Sequence, residues 1–446
     1  MNKLERLFSN KDLRKLIIPL VFEQALAITV GMADTIMIAS VGEAAISGVS
    51  LVDMINNLIF YVLSAFATGG AVVTSQHIGA KRFKEACRSA KQLMYTVSAI
   101  SLAIAVFVIV AREPLLRLLF GNIEADVMEN ALTYLWISAL SFLFLAIYNA
   151  CAALFRSMGN SQTTFNVSIL INLINVVGNA LCIFVFHMGV AGVAIPSLVS
   201  RAVGAMILYF LLKNPQYPVH FEKEPFAIDW KVIHKIMYIG IPSGIENGIF
   251  QMGRVLVVSI ISNFGTVQIA ANGVANNIDA VGCIIGQAMN LTMITVIGQC
   301  VGANDEKQIR YYTKKLLAIT YVSMAIWNAV LLWNLHPILA IYGLSAETTR
   351  LSYILIMIHN GCAVFMWPAA FVFPNMLRAC NDVKYTMVVS ILSMIIFRIG
   401  FSFILGIHMG MGAIGVWIAM VIDWIFRILF FVIRYQKGTW RKLCLL

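Results

Sequence analysis

The chain has 446 residues, of which 60% are hydrophobic and 12% are charged, and its formal net charge is +11. Soluble proteins carry about 25% charged residues, so this composition excludes an ordinary soluble domain and indicates a membrane protein. The positive charge does not indicate a nucleic-acid partner, because the lysines and arginines lie in clusters between long apolar runs.

Twelve apolar runs follow one another along the chain, and each is near or above the ~20 residues that cross a bilayer as a helix. The runs cover residues 16–40, 46–76, 92–112, 130–155, 163–186, 191–213, 237–262, 269–300, 315–335, 350–377, 384–406 and 411–433. The sequence therefore predicts an all-α polytopic membrane protein with twelve transmembrane helices. The first run is too long, and too polar at its end, for a cleaved signal peptide, so we expect it to remain as a helix.

The basic clusters indicate the orientation of these helices. Clusters such as residues 81–91 and 307–315 follow even-numbered runs, whereas the connections VGEAA, HMGVAG, SNFGTV and HMGMGA contain no Lys or Arg. Under the positive-inside rule, both termini and all even-numbered loops are expected in the cytoplasm. We therefore expect a multi-pass protein of the cell membrane, such as the inner membrane of a bacterium.

An internal repeat relates the two halves of the chain. A shift of 223 residues superposes Pro19 on Pro242, Glu23 on Glu246, Gly42 on Gly265 and Gln76 on Gln299. We predict a six-helix lobe at residues 1–213, a cytoplasmic linker at 214–236 and a second six-helix lobe at 237–446. Because six is an even number, both lobes have the same orientation. Parallel repeats of this kind are a transporter design, with the substrate path between the halves.

Ionisable and amide side chains interrupt the apolar runs of the first lobe. Asp34 lies in the stretch GMADTIMIAS of helix one, with Glu23 three turns earlier on the same face. An unpaired carboxylate at this depth is expensive to bury, so Asp34 is a functional candidate. A polar stripe with steps of 4, 3 and 4 on helix five comprises Ser168, Asn172, Asn175 and Asn179. A single amide of this kind commonly bonds to a neighbouring helix, but four in line indicate a wet cavity.

Helices seven and eight of the second lobe carry polar stripes of their own. The residues of these stripes are Ser243, Glu246, Asn247, Gln251, Arg254, Asn272, Asn276, Asp279, Cys283, Gln287 and Asn290. Such faces are too polar for lipid, so we expect them to line a central cavity. Arg254 requires a partner, and Asp279 and Glu246 are the nearest candidates by depth. Asp423 and Arg427 are spaced i, i+4 on helix twelve and are expected to pair with each other.

Two further residue types are informative. The eight cysteines have no CxxC spacing, so we expect free thiols and no metal site. His359 in the tenth run either titrates near neutral pH or donates an ordinary hydrogen bond.

Several motifs resemble one transporter family in their order and spacing. They are P-x-x-x-E followed by ADTIMIASVG, the pair SQHIGAKRF and GQCVGANDE, the pair FRSMGN and LRACND, and GVAGVAIPSLVS. Together they cover essentially the whole chain and resemble the multidrug and toxic compound extrusion (MATE) family of the multidrug/oligosaccharidyl-lipid/polysaccharide flippase superfamily. The resemblance implies two pseudo-symmetric six-helix bundles and a cation-coupled exporter that works by alternating access.

The resemblance also implies a coupling site. Members of the family place oxygen ligands near the acid of helix one, and the matching positions here are Asn149, Asn175, Asn179 and Ser197. Asn179 stands where one branch of the family has an acid, and Ser197 stands where a threonine is usual. A carboxylate ringed by such oxygens suits a proton or a hard cation such as sodium, although the missing acid weakens a sodium site. Asp34 is therefore predicted to be the titratable coupling residue.

Glu246 is a second candidate for coupling. It matches a helix-seven acid that some members of the family use for this purpose. Its repeat partner Glu23 lies at a corresponding shallow depth, so a structural role for both is an equal alternative. Helix seven has Val257 at the position that corresponds to Asp34, so the coupling site is predicted in the first lobe.

Three functions are compatible with these features. We expect a secondary exporter of amphipathic, often cationic organic compounds, driven by an inward proton or sodium gradient. We expect it to be a monomer in contact with membrane lipids, with no cofactor and no nucleic-acid partner. A flippase for lipid-linked oligosaccharides is the alternative, and it would have a more cationic cavity and need no acid at Asp34. A membrane-embedded enzyme ranks last, since the chain has no HExxH, GxSxG, paired-Asp or P-loop motif in a suitable place.

Overall fold

The computed structural model describes residues 6–121, 124–221 and 225–444, and these residues form helices and connecting turns without any strand. The helices of the first half are α1 (Asn10–Ala39), α2 (Glu43–Gly79), α3 (Phe83–Phe120), α4 (Ala125–Ser157), α5 (Ser161–Ala180) and α6 (Ala191–Leu211). Those of the second half are α7 (Trp230–Ser262), α8 (Thr266–Gly282), α9 (Ile284–Gly302), α10 (Glu306–Trp333), α11 (Leu335–Ile341), α12 (Ala346–Trp367), α13 (Pro374–Ala379), α14 (Val383–Ser393), α15 (Gly412–Lys437) and α16 (Trp440–Leu443).

The predicted all-α fold with twelve membrane-spanning helices is confirmed. The described chain contains 12 helical stretches that are long and apolar enough to cross a membrane. Several helices extend well beyond the apolar run that predicted them; α3, for example, begins at Phe83 rather than at residue 92. Hydrophobicity marks only the part of a helix that lies in hydrocarbon, and the backbone hydrogen bonds continue into the polar flanks.

The predicted eighth helix is broken in the membrane, where the sequence predicted one continuous span. Its two parts, α8 and α9, meet at Cys283, and side chains of α10 bind the carbonyl groups exposed at the break. Trp327 Nε1 donates to Val281 O at 2.8 Å, and Asn328 Nδ2 donates to Gly282 O at 3.2 Å. A break in lipid is tolerated only where such partners satisfy the backbone. A methyl group on Gly282 would lie 2.3 Å from Asn360 Nδ2, so glycine is needed there.

Four segments of wider π-helical turns continue three of the other helical stretches. They cover Leu181–Val185, Pro368–Val372, Met394–Gly400 and Ser402–His408. Such turns are rare in proteins and are frequent near functional sites. The first of them directly follows the polar stripe of α5.

The chain divides into two compact units. Residues 10–244 form the first unit, and residues 245–444 together with residues 6–9 form the second. In the first unit α1 packs on α5 and α5 packs on α6; in the second, α8 packs on α12 and α12 on α15. The first turns of α7 belong to the first unit, where a methyl group on Gly69 would lie only 2.6 Å from Ile236 O. The predicted lobe boundaries stay a prediction, and residues 222–224 of the predicted linker lie outside the described residues.

Candidate functional site

A close contact between α5 and α6 positions the candidate site of the first unit. A methyl group on Gly178 would lie 2.7 Å from Pro196 Cβ, so only glycine allows this approach. Gly178 directly precedes Asn179, and Pro196 directly precedes Ser197. The polar side chains that follow are therefore brought to the same place, and α1, which packs on α5, adds Asp34 to them.

Two amides contact the Asp34 carboxylate. Asn179 Nδ2 donates to Asp34 Oδ1 at 2.7 Å. With its amide nitrogen turned towards Asp34, Asn175 donates to Oδ1 at 3.0 Å and to Oδ2 at 3.3 Å, and its oxygen accepts from Ser197 Oγ at 2.9 Å. This orientation of the Asn175 amide is assigned from the hydrogen bonds that it satisfies. The structure thus brings three of the four residues predicted around Asp34 together with it, namely Asn175, Asn179 and Ser197.

Asn149 and Asn172 differ from the amides that contact Asp34. The amide nitrogen of Asn149 is buried, and it has no hydrogen-bond partner among the described residues. Asn172 Nδ2 donates to the backbone oxygen of Ser168 at 2.8 Å and to its hydroxyl at 3.1 Å, within the same helix. The polar stripe of α5 is therefore divided, and only its last two amides reach Asp34.

Sequence reasoning missed a second group of polar residues near Asp34. The charges of Asp53 and Arg201 are close enough to act on Asp34. Asp53 Oδ1 accepts hydrogen bonds from Tyr134 Oη at 3.1 Å and from Asn56 Nδ2 at 3.4 Å. The criterion that selected Asp34, an ionisable residue within an apolar run, applied equally to Asp53 in the second run and Arg201 in the sixth.

The two glutamates related by the repeat each face an arginine. Glu23 Oε1 lies 3.7 Å from Arg156 Nη1, and Thr164 donates to the other carboxylate oxygen at 3.2 Å. Glu246 Oε1 accepts from Arg378 Nη2 at 2.6 Å. The two arginines occupy matching positions in the motifs FRSMGN and LRACND. The same kind of pair thus occurs at the same place in both units.

A chain of polar contacts extends from Arg378 through the second unit. Arg378 Nη1 donates to Asn375 Oδ1 at 2.6 Å, and Asn375 Nδ2 donates to Asn290 Oδ1 at 2.9 Å. Asn290 Nδ2 in turn donates to Gln287 Oε1 at 3.3 Å. The predicted polar residues at this end of α7 and α9 thus bind one another and the residues of α13.

The predicted partner of Arg254 is wrong, whereas the predicted pair on the twelfth helix is confirmed. Glu246 is engaged by Arg378, and Asp279 contacts the His359 ring. Depth in the membrane fixes only the height of a residue and not the direction in which its helix face points. Arg427 Nε donates to Asp423 Oδ1 at 2.9 Å, as expected for residues one turn apart on the same helix.

Arg254 instead lies in a cleft of the second unit. Its lining comprises Arg254, Val257, Val258, Asn272, Asn276, Arg398, Val416, Trp417 and Met420. Trp417 Nε1 donates to Asn272 Oδ1 at 2.9 Å. Gln251 lies one turn before Arg254 on α7 and is half-buried.

The structure contains free cysteines, and its described residues form no cluster of metal ligands. All eight cysteines are free thiols, as predicted. Among the residues that the structure describes, no group of three or more His, Cys, Asp or Glu side chains is placed to hold a metal ion. A sodium site near Asp34 would rely on amide and hydroxyl oxygens beside the carboxylate of Asp34, with the charge of Asp53 nearby.

The model of the MatE family matches residues 19–181 and 242–404, two stretches that begin 223 residues apart. The chain belongs to the MatE family. The displacement of the two matches equals that of the repeat in the sequence, so each half of this MatE protein carries one copy of the family's unit. Membership makes it a transporter and not an enzyme. Together with its twelve apolar helices, membership also makes it a multi-pass membrane protein.

Relatives and solved structures cover nearly the whole chain. The protein is 27% identical to "Uncharacterized transporter YisQ" of Bacillus subtilis (strain 168), over 95% of this chain and 93% of the relative. It is 24% identical to "Probable multidrug resistance protein NorM" of Thermotoga maritima, over 97% of this chain and 93% of the relative. A solved structure of a multidrug resistance MATE family transporter in an outward-facing conformation superposes with a TM-score of 0.88. It is 18% identical, and the match covers 97% of this chain and 96% of that one.

Proposed function

We propose that this MatE protein is a secondary active exporter of amphipathic, often cationic organic compounds, driven by proton or sodium antiport with alternating access. The observation that carries the proposal is the contact of Asp34 with the amides of Asn175 and Asn179 inside an apolar helix bundle. A titratable group in such surroundings is a common element of ion-driven transporters. The name of the Thermotoga relative, a probable multidrug resistance protein, supports drug-like substrates.

The chemistry of the proposed coupling site follows from its donor set. Asn179 uses its amide nitrogen on Asp34, and its carbonyl oxygen is buried without a hydrogen-bond partner among the described residues. The possible ligand atoms of the site are all oxygens, and they belong to the Asp34 carboxylate, this carbonyl and the Ser197 hydroxyl. Oxygen ligands suit a proton, held as a carboxylic acid, and a hard cation such as sodium. Asp34 would bind the ion when the cavity faces one side of the membrane and release it when the cavity faces the other.

Exchange requires that ion and substrate exclude one another. If protonation or sodium binding at Asp34 weakens substrate binding, the inward gradient releases substrate outside and reloads the cavity inside. Linkage makes the effect reciprocal, so bound substrate lowers the affinity for the ion by the same factor.

The remaining parts of the proposal concern the setting of the protein. We infer a location in the cell membrane with both termini in the cytoplasm, since the basic clusters follow even-numbered helices. The two repeats would act as lobes at residues 1–213 and 237–446, with the linker at 214–236 between them. We expect a monomer that contacts membrane lipids and needs no cofactor and no nucleic acid.

A second candidate function is the flipping of lipid-linked oligosaccharides. The observation that favours it is the presence of two arginines, Arg254 and Arg398, in the cleft of the second unit. A pyrophosphate-linked lipid would require such positive charge. The carboxylate at Asp34 is not needed for this function.

Counterflow into liposomes that contain the purified protein separates the two functions. Export of amphipathic dyes predicts dye exchange that responds to an imposed proton or sodium gradient. Flipping predicts exchange of lipid-linked sugar without dye exchange. Imposing the two gradients one at a time identifies the coupling ion. Absence of dye exchange under both gradients would contradict the proposed export.

A further inference from the structure

The cleft of the second unit occupies the place that the Asp34 site has in the first unit. Positions in α1 and α2 correspond to positions in α7 to α9 at a displacement of 223 residues, which is also the displacement between the starts of the two family matches. Val257 therefore corresponds to Asp34, and Asn276 corresponds to Asp53. Both members of each pair lie beside the respective site or cleft. The second unit has thus lost both carboxylates of this pseudo-symmetric position.

Arginines replace uncharged residues at the same position. Arg254 corresponds to Gly31 at the displacement of 223. The motifs FRSMGN and LRACND, and VSIL at residues 167–170 and 389–392, align at a displacement of 222, so Arg398 corresponds to Val176 of α5. The first unit therefore presents two carboxylates beside its site, and the second presents two guanidinium groups. The sign of the charge is reversed between the two halves of the protein.

The acids nearest in the second unit make their direct contacts with other groups, although the charge of Asp423 also acts on Arg398. Glu246 binds Arg378 at 2.6 Å, Asp423 binds Arg427 at 2.9 Å, and Asp279 contacts the His359 ring. Each of these contacts is made with a group outside the cleft lining, and one oxygen of Glu246 and one of Asp423 have no hydrogen-bond partner among the described residues.

Neither arginine of the cleft has an ion pair with a described residue. Arg254 has no hydrogen bond within the described chain, and the buried Nε of Arg398 has no hydrogen-bond partner. The guanidinium of Arg398 lies over the Phe250 ring, with its carbon 5.6 Å from the ring centroid. The charge of Asp423 acts favourably on Arg398, and the like charges of Arg254 and Arg427 act against it. Arg254 is exposed and Arg398 is half-buried, so both guanidinium groups are accessible to an anion, which would stabilise two like charges this close together within a membrane span.

The other groups in the cleft suit the same ligand. Trp417 donates to Asn272 Oδ1 and thereby fixes the amide of Asn272, whose nitrogen remains a donor. Asn276 adds a second amide, while Val416 and Met420 are apolar. The cavity volume of the cleft is about 40 Å³, so it can take a small acidic group while the rest of a ligand lies outside it. Guanidinium and amide donors can bind an acidic group, and the apolar side chains beside them can contact an apolar body to which that group is attached.

We propose that this cleft binds an acidic group, a carboxylate or a phosphate, of an amphipathic ligand. The inference rests on the proposed function in that the ligand would be a transported compound, and it extends the substrates from cations to zwitterions and anions. Two sources supply the same chemistry. They are a soluble amphiphile that carries a carboxylate and a membrane lipid that carries a phosphate.

Equilibrium binding of two matched dyes tests the proposal. Rhodamine 110 carries a free carboxylate, and rhodamine 123 is its methyl ester. Fluorescence anisotropy is measured on the purified protein in phosphatidylcholine nanodiscs, with empty nanodiscs subtracted. We expect the protein to bind rhodamine 110 about tenfold more tightly than rhodamine 123, since a charge-assisted hydrogen bond contributes about that factor. Added salt should weaken the binding of rhodamine 110 alone.

Variants of the two arginines assign this preference to the cleft. The double variant Arg254→Met with Arg398→Met should bind rhodamine 110 no better than rhodamine 123, while binding of rhodamine 123 is retained and shows that the variant is folded. Arg254→Lys keeps the charge and should keep most of the preference. Arg350→Met, which removes an exposed arginine of the same unit, is the matched control and should change neither dye.

A second set of nanodiscs that contains phosphatidylglycerol distinguishes the two sources. Loss of rhodamine 110 binding in the wild-type protein alone would mean that a lipid phosphate occupies the cleft, and unchanged binding would mean a soluble acid. Equal binding of the two dyes, or equal weakening of both by the arginine variants, would overturn the proposal. Because no gradient is used, failure here leaves coupling at Asp34 intact, and failure of coupled export leaves this result intact.

Discussion

Asn179 donates its amide hydrogen to Asp34 over 2.7 Å, and this contact leaves its own carbonyl oxygen buried beside the carboxylate. The two residues come from α5 and α1 and are 145 positions apart in the sequence. A buried acceptor next to an acid is destabilising unless a donor or a cation satisfies it. The pair is therefore suited to bind and release a positive ion rather than only to hold two helices together.

The choice of ion is expected to depend on the charge at position 179. Asn179→Asp adds a second carboxylate beside Asp34, and more ligand charge strengthens sodium binding. We expect sodium to raise the apparent melting temperature of this variant more than that of the wild type. Asn172→Asp is the matched control, since the amide of Asn172 bonds within α5. Equal sodium responses in both variants would contradict a cation site at Asp34.

The two repeats are expected to differ in function. Asp34 has Val257 as its counterpart, so Asp34→Asn should abolish gradient-driven efflux, whereas Val257→Ala should retain it. Efflux of a fluorescent dye from cells with matched expression of each variant measures this difference. Similar loss in both variants would show that the lobes contribute alike.

The contact between α5 and α6 is expected to control the geometry of the coupling site. Gly178→Ala places a methyl group 2.7 Å from Pro196 Cβ, so the helices must separate. Overpacking of this kind destabilises by about 1–3 kcal/mol. We expect reduced transport and a lower melting temperature although no polar group is changed. Gly361→Ala on α12, where a methyl group meets nothing within 4 Å, should leave both unchanged. Normal transport by Gly178→Ala would show that this approach is not required.

Glu246 is expected to stabilise the second unit rather than to carry the coupling ion. Its side chain is 7% exposed and binds Arg378, whose side chain is 15% exposed. Removing one partner of a buried pair costs about 3–5 kcal/mol. Glu246→Gln should therefore lower the melting temperature while the ion dependence of the remaining transport is unchanged. The double variant with Arg378→Met should recover part of the stability. A variant of normal stability that has lost its ion dependence would instead assign coupling to Glu246.

Patterns that depend on one helix at a time were predictable from the sequence. Asp423 and Arg427 lie one turn apart, so their pairing follows from helix geometry alone. The repeat was likewise visible as a constant displacement, because matching motifs need no knowledge of packing. Asn175 and Asn179 were expected near Asp34 through the resemblance to the family, and they contact it.

Features that depend on contacts between helices were not predictable. The break at Cys283 requires Trp327 and Asn328 of another helix to bind the freed carbonyl groups, and an apolar run shows none of this. The prediction that Glu246 is a partner of Arg254 was wrong, because the depth of the two residues in the membrane does not show that Glu246 binds Arg378 instead. Helix rotation, which decides such pairs, is set by tertiary packing rather than by the local sequence.

The central claim, that an ion at Asp34 and the transported compound exclude one another, is tested most directly by equilibrium binding as a function of pH. The probe is ethidium, whose charge is fixed, and its affinity is measured from about pH 5 to about pH 9 on the wild type and on Asp34→Asn. Protons compete at low pH, so wild-type affinity should rise with pH as Asp34 loses its proton. Asp34→Asn mimics the protonated acid and should bind weakly at every pH. An unchanged pH dependence in Asp34→Asn would contradict the account and move the coupling role elsewhere, with Glu246 the next residue to examine.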